Sequence, residues 1–84
     1  MKNVEKRLLK VIIDYGVDQS KISKDADYYF DLNLDILDLM GLANNIKNEF
    51  KVAIPDHEIM KMEKISDTID FLKRKSTIYF YRNY

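Results

Sequence analysis

The chain has no cysteine and no tryptophan, and it holds one histidine, one proline and two glycines. Without cysteine there are no disulfides, thiolate metal sites or thiol nucleophiles, and redox chemistry says nothing about compartment. A single histidine, His57, excludes a histidine metal cluster and leaves little for a triad of the nucleophile–base kind. No apolar run approaches the roughly 18 residues a membrane span requires, and Leu8 to Ile13 is too short and too charged for a signal-peptide core. Charge of one sign is missing overall, because 14 Lys and Arg balance 14 Asp and Glu over 84 residues. A chain of this length forms one domain and buries only about 60–65% of its unfolded surface, so its stability rests on well-packed apolar faces. These absences lead us to expect a small, soluble, cytoplasmic domain without enzymatic activity.

The balanced total hides a segregation. Residues 1–26 carry six basic and four acidic side chains, residues 27–72 four basic and ten acidic, and residues 73–84 four basic and none acidic. An acidic middle favours basic partner surfaces and disfavours nucleic acid, unless the basic ends fold back and neutralise it.

Periodicity divides the chain into helices. Val4, Leu8, Val11, Ile12 and Tyr15 share one helical face; Asn3 is placed to cap that helix and Gly16 to end it. Val17 to Leu34 has no sustained period, and Val17, Ile22, Phe30 and Leu32 are expected to plug this long connection into the core. Asp35 offers an N-cap with Asp38 three residues later, both favoured by the helix dipole. Leu39, Leu42, Ala43, Ile46 and Phe50 then form a core stripe. Gly41 costs that helix about 1 kcal/mol. Successive 100° steps put Ile36, Met40 and Lys47 on the flank of the stripe, with Leu37 and Asn44 towards solvent. The helix therefore begins with an apolar cluster that the core does not need. Pro55 keeps Ile54 extended and separates a short helical stretch over Glu58 to Met62. A last helix follows, capped by Ser66 or Asp67, with Ile65, Ile69 and Leu72 inward and Phe71 alongside.

Several strings, in this order and spacing, resemble the acyl carrier protein family. Asp31-Leu32-Asn33-Leu34-Asp35-Ile36-Leu37-Asp38 is similar to its D-L-G-x-D-S-L-D segment. Phe50 through Ile54-Pro55-Asp56 is similar to its F-x-x-x-I-P-D turn, and Ile69-Asp70-Phe71-Leu72 to its last helix. Tyr15-Gly16-Val17 suits its opening, so the likeness spans residues 4 to 72. The resemblance implies an all-α, acyl-carrier-like four-helix bundle with a long first loop and a short third helix. It also implies a 4'-phosphopantetheine arm on a serine at the start of the second helix. Ile36 stands at that position, and its side chain has no lone pair with which to attack a pyrophosphate. No cofactor is therefore expected unless the native residue there is serine. Ser20, Ser23, Ser66 and Ser76 lie in other settings. The acids that family members show along this helix are also thinned, with Gly41, Asn44, Asn45, Lys47 and Asn48 in that stretch.

Three accounts of Ile36 stand open. A carrier-like module has lost the arm and kept a protein-docking surface made of Asp35, Ile36, Leu37, Asp38 and Met40, within or beside fatty-acid or polyketide-type metabolism. Alternatively, a true carrier has had its serine replaced. In the third account the likeness is architectural only, and the chain is a small basic-tailed module for nucleic acid or self-association. The expected organisation is a helical domain over 1–75 and an aromatic, basic tail over 76–84, in which Ile78 to Tyr84 is the candidate self-association strip. Other constellations have plain explanations. His57 beside Glu58 reads as solvated, and Met40, Met60 and Met62 as gap-filling or surface residues. Lys73, Arg74, Lys75 and Arg82 with the nearby tyrosines resemble a small nucleic-acid patch, which the absence of net positive charge disfavours.

Overall fold

A computed structural model describes residues 3–82, with side chains through Lys75. Four α-helices follow one another: α1 (Val4–Tyr15), α2 (Ile36–Phe50), α3 (Asp56–Lys61) and α4 (Ile65–Arg82), with a short 3-10 turn at Gln19–Lys21. No strand occurs among the described residues; one antiparallel bridge pairs Asp27 with Lys64. The expected all-α bundle with a long first loop and short third helix is what the chain forms.

The helical stripes make the core. Val4, Leu8 and Ile12 of α1 are buried against Leu39, Leu42, Ala43, Ile46 and Phe50 of α2, with Ile65, Ile69, Phe71 and Leu72 of α4 closing the interior. Val11 and Tyr15 are partly buried at its margin. Gly16 ends α1 in the left-handed region at φ 113°, its N–H reaching the carbonyl of Ile13 at 2.9 Å, a conformation that glycine adopts without steric cost. Asn3 occupies the N-cap position, but its backbone is left-handed at φ 57° and its side chain makes no capping bond. The first turns of α1 are tied down by longer side chains instead. The guanidinium of Arg7 donates to the Glu49 carboxylate at 3.1 Å and to the Glu49 carbonyl at 3.0 Å, and lies 4.5 Å from the centre of the Phe50 ring. It thereby satisfies an orphan carbonyl at the end of α2.

The long loop corrects one expectation. Val17 and Leu32 are buried and Ile22 packs against the core, but Phe30 is 86% exposed and Tyr28 takes the interior place. The reason is a tight reversal. The Asp27 carboxylate accepts the amides of Tyr29 and Phe30 at 2.8 and 3.0 Å, and the Asp31 carboxylate accepts that of Asp27 at 2.7 Å. The amides of Asp31 and Leu32 return to the Asp27 carbonyl. Such side-chain turns reverse the chain locally, which here leaves Tyr28 and Leu32 inside and Phe30 out. The Tyr28 hydroxyl lies 2.6 Å from Thr68 Oγ1, which in turn donates to Met62 Sδ at 3.3 Å, so the buried phenol is satisfied.

Two boundaries also differ from expectation. Pro55, at φ −61°, is the N-cap of α3, which starts at Asp56 rather than Glu58, because proline needs no donor at a helix start. Neither Ser66 nor Asp67 is the N-cap of α4. The helix begins at Ile65, and Asp67 reaches back from its first turn to accept the amides of Glu63 and Lys64, both at 2.9 Å. The backbone of α4 continues unbroken to Arg82, across the 75/76 line. The side-chain expectations for Ser76 to Tyr84, the self-association strip included, lie outside the described residues.

Candidate functional site

The start of α2 is built by a reciprocal cap. The Asp38 amide donates to Asp35 Oδ1 at 2.8 Å, and the Asp35 amide donates to Asp38 Oδ2 at 3.2 Å. This satisfies two orphan donors and fixes the angle at which the chain enters the helix. Leu39, on the inward face, is buried, while Ile36, Leu37 and Met40 are 41%, 75% and 42% exposed. Positions three and four apart are neighbours on a helix surface, so Met40 borders both Ile36 and Leu37. Ile36, Leu37 and Met40 thus form an exposed apolar triad beside the carboxylates of Asp35 and Asp38.

Two residues that the sequence reading missed support it. The Tyr15 hydroxyl donates to Asp38 Oδ1 at 3.4 Å, coupling the end of α1 to the cap of α2. Partial burial first, then the nearby Asp38 and Asp35 charges and the Asp38 hydrogen bond, raise the Tyr15 phenol above its ordinary range, so it stays protonated as a donor. Gly41 makes room for it. A Cβ at position 41 would stand 3.0 Å from the Tyr15 hydroxyl oxygen and 3.4 Å from the nearest ring carbon. The only hint in the sequence was a glycine inside a helix, which costs stability unless something packs there.

The carboxylates are acceptors, Ile36 offers only C–H bonds, and no cluster of three metal-ligating side chains exists among the described residues. A phosphopantetheine arm therefore does not fit at Ile36, which lacks the oxygen a phosphodiester needs. None of the other described serines stands at the head of α2: Ser20 is in the 3-10 turn, its hydroxyl donating to Asp18 at 2.9 Å, Ser23 is in the loop and Ser66 in the first turn of α4.

The remaining candidates disperse. Exposed His57 faces its half-buried neighbour Glu58 at 3.7 Å. Met60 is exposed and Met62 buried. Among the basic residues before the tail, Lys73 pairs with Glu5 at 3.9 Å, and Arg74 and Lys75 lie within 6 Å of the Phe71 ring. No helix among the described residues is long and apolar enough to cross a membrane.

The sequence matches known proteins over most of its length. The family model described as "Phosphopantetheine attachment site" matches residues 6–72, from α1 to α4. The acyl carrier protein of Buchnera aphidicola subsp. Acyrthosiphon pisum (strain Tuc7) is 36% identical over 77 residues, 90% of this chain and 96% of its own. That of Porphyromonas gingivalis (strain ATCC 33277) is 31% identical over 75 residues, covering 88% and 96%.

Proposed function

The chain belongs to the phosphopantetheine-attachment-site family of the acyl carrier proteins, and we propose that it is an armless member that docks a protein partner. The single observation behind this reading is the side chain at the head of α2. A branched hydrocarbon, part exposed, stands between two capping carboxylates where the family resemblance calls for a hydroxyl. Such a module carries no thioester and catalyses nothing; its output is recognition. Its setting is cytoplasmic, in or beside fatty-acid or polyketide-type metabolism, and nucleic acid is not its ligand.

The exposures rank the contacts. A fully buried aliphatic side chain contributes about 1.5–3 kcal/mol, in proportion to the surface still open to water. Leu37 has most to gain, while Ile36 and Met40 have already lost more than half of theirs to the fold. Leu37 is thus the central contact, with Asp35 and Asp38 at the rim, where charges set orientation and association rate.

Intact-mass measurement after incubation with coenzyme A and a promiscuous phosphopantetheinyl transferase tests the reading. The chain as it stands is expected to keep its mass. Ile36→Ser is expected to gain one arm, and adding Leu37→Asp should slow that gain at least about tenfold. Modification of the unaltered chain overturns the loss of the arm. An Ile36→Ser chain that folds but stays unmodified overturns the docking surface.

A further inference from the structure

A large aromatic held out in water by a stiff turn is the feature the bundle leaves unexplained. Isolated exposed apolar residues are common, but Phe30 is presented, not merely left over. Its neighbours two residues away on either side, Tyr28 and Leu32, are buried. Its own amide is bonded to Asp27, and the Leu34 amide closes the turn on the Tyr28 carbonyl at 3.0 Å. An apolar group already fixed in position loses little further freedom on binding, which is what makes a rigid aromatic an effective contact. Beside it lies an open cleft lined by Lys21, Ser23, Asp25, Ala26, Asp31 and Asn33.

The charge around Phe30 says what would cover it. From Asp25 to Ile46 the chain carries Asp25, Asp27, Asp31, Asp35 and Asp38 and not one Lys or Arg, so among the described residues Lys21 is the one cation lining the cleft, against Asp25 and Asp31. Among the described residues none of these five carboxylates makes a salt bridge; the bonds of Asp27, Asp31, Asp35 and Asp38 are to amides and the Tyr15 hydroxyl. Negative charge left unpaired beside a fixed aromatic is complementary to an apolar side chain flanked by cations.

We infer that Phe30 is a second contact point, continuous in sequence with the head of α2, for a partner protein segment that presents an apolar residue between Lys or Arg side chains. This deepens the docking reading and rests on it. The Phe30 turn and the Ile36–Leu37–Met40 triad are joined by only Asp31 to Asp35, and the backbone bond between Tyr28 and Leu34 holds that connection short. The partner spans both.

The probe is a library of short peptides displayed on phage, selected against the full chain. Enriched peptides are expected to carry Lys or Arg around a Leu or aromatic residue. Their affinity should fall at least about tenfold in Phe30→Ser and fall with added salt, while the exposed substitution leaves the melting temperature unchanged. The inference is overturned if nothing enriches, if acidic peptides enrich, or if Phe30→Ser binds as well as the original chain. It is equally overturned if the chain is a dimer that Phe30→Ser dissociates, since a second copy would then be the occupant. Failure here is distinguishable from failure of the docking reading. Peptides weakened by Leu37→Asp but not by Phe30→Ser remove only the Phe30 contact, and arm transfer to Ile36→Ser is read without peptides.

Discussion

The buried pair formed by Tyr28 and Thr68 permits a quantitative test of how the long loop is held. Thr68 Oγ1 donates to the Met62 sulfur, so the 2.6 Å contact is best satisfied with the Tyr28 phenol as donor and Thr68 as acceptor. The two single substitutions are then unequal. Tyr28→Phe deletes the donor and leaves an under-used acceptor, costing about 1 kcal/mol, the net worth of an ordinary hydrogen bond. Thr68→Val keeps the volume but strands a buried phenol O–H, and an unmet buried donor costs about 1–3 kcal/mol. The double variant removes both ends at once and opens no cavity, so it should cost about 1 kcal/mol, well below the sum of the singles. The coupling is then about 1–3 kcal/mol, above the roughly 0.5 kcal/mol within which independent sites add. In a domain of this size about 1 kcal/mol moves the melting temperature by roughly 4–8 °C. Urea titration of the four chains, with melting curves alongside, supplies every term. Additivity of the two singles, or a Tyr28→Phe chain less stable than Thr68→Val, would refute the assignment of donor and acceptor.

Two further outcomes follow from the same geometry. Burial raises the Tyr28 phenol above its ordinary 10.0, and the nearby Asp67 charge acts in the same direction. Above that value the unfolded chain releases a proton the folded chain retains, so the contribution is whole below pH 10.0 and stability falls as pH rises beyond it. Urea midpoints across this alkaline range should drop more steeply for the original chain than for Tyr28→Phe; equal slopes would discount the buried phenol. At Gly41 an added methyl gains about 1 kcal/mol of helix propensity but crowds the Tyr15 hydroxyl at 3.0 Å. Gly41→Ala is therefore expected to be close to neutral alone and stabilising by about 1 kcal/mol in a Tyr15→Ala background. Equal gains in both backgrounds would mean the ring yields without cost.

Residues that answer to a helical period were legible in the sequence, and residues positioned by side chains from elsewhere were not. The α1 and α2 stripes, the reciprocal cap at Asp35 and Asp38, and the exposed triad at Ile36, Leu37 and Met40 all follow from 100° spacing and local capping chemistry. Choosing Phe30 as the loop's interior residue failed because both aromatic side chains are apolar enough to be buried. What decides between them is the reversal set by the Asp27 and Asp31 carboxylates, which no period encodes. The start of α4 was placed late for a related reason: a carboxylate that reaches backwards from the first turn looks, in sequence, like one that caps in place. Gly41 read as a weakness because its partner, Tyr15, lies on another helix.

The bridge between Asp27 and Lys64 carries a consequence for motion. The Tyr28 amide bonds to the Glu63 carbonyl, and those of Ile65 and Ser66 bond to the carbonyls of Ala26 and Lys24. Three amides thus link a nominal loop to the opening turn of α4, in both directions. The segment cannot swing outward by itself, since lifting it strips donors and acceptors from the helix as well. Lys24–Tyr28 and Glu63–Ser66 accordingly open and close as one cooperative unit, like two teeth of a clasp.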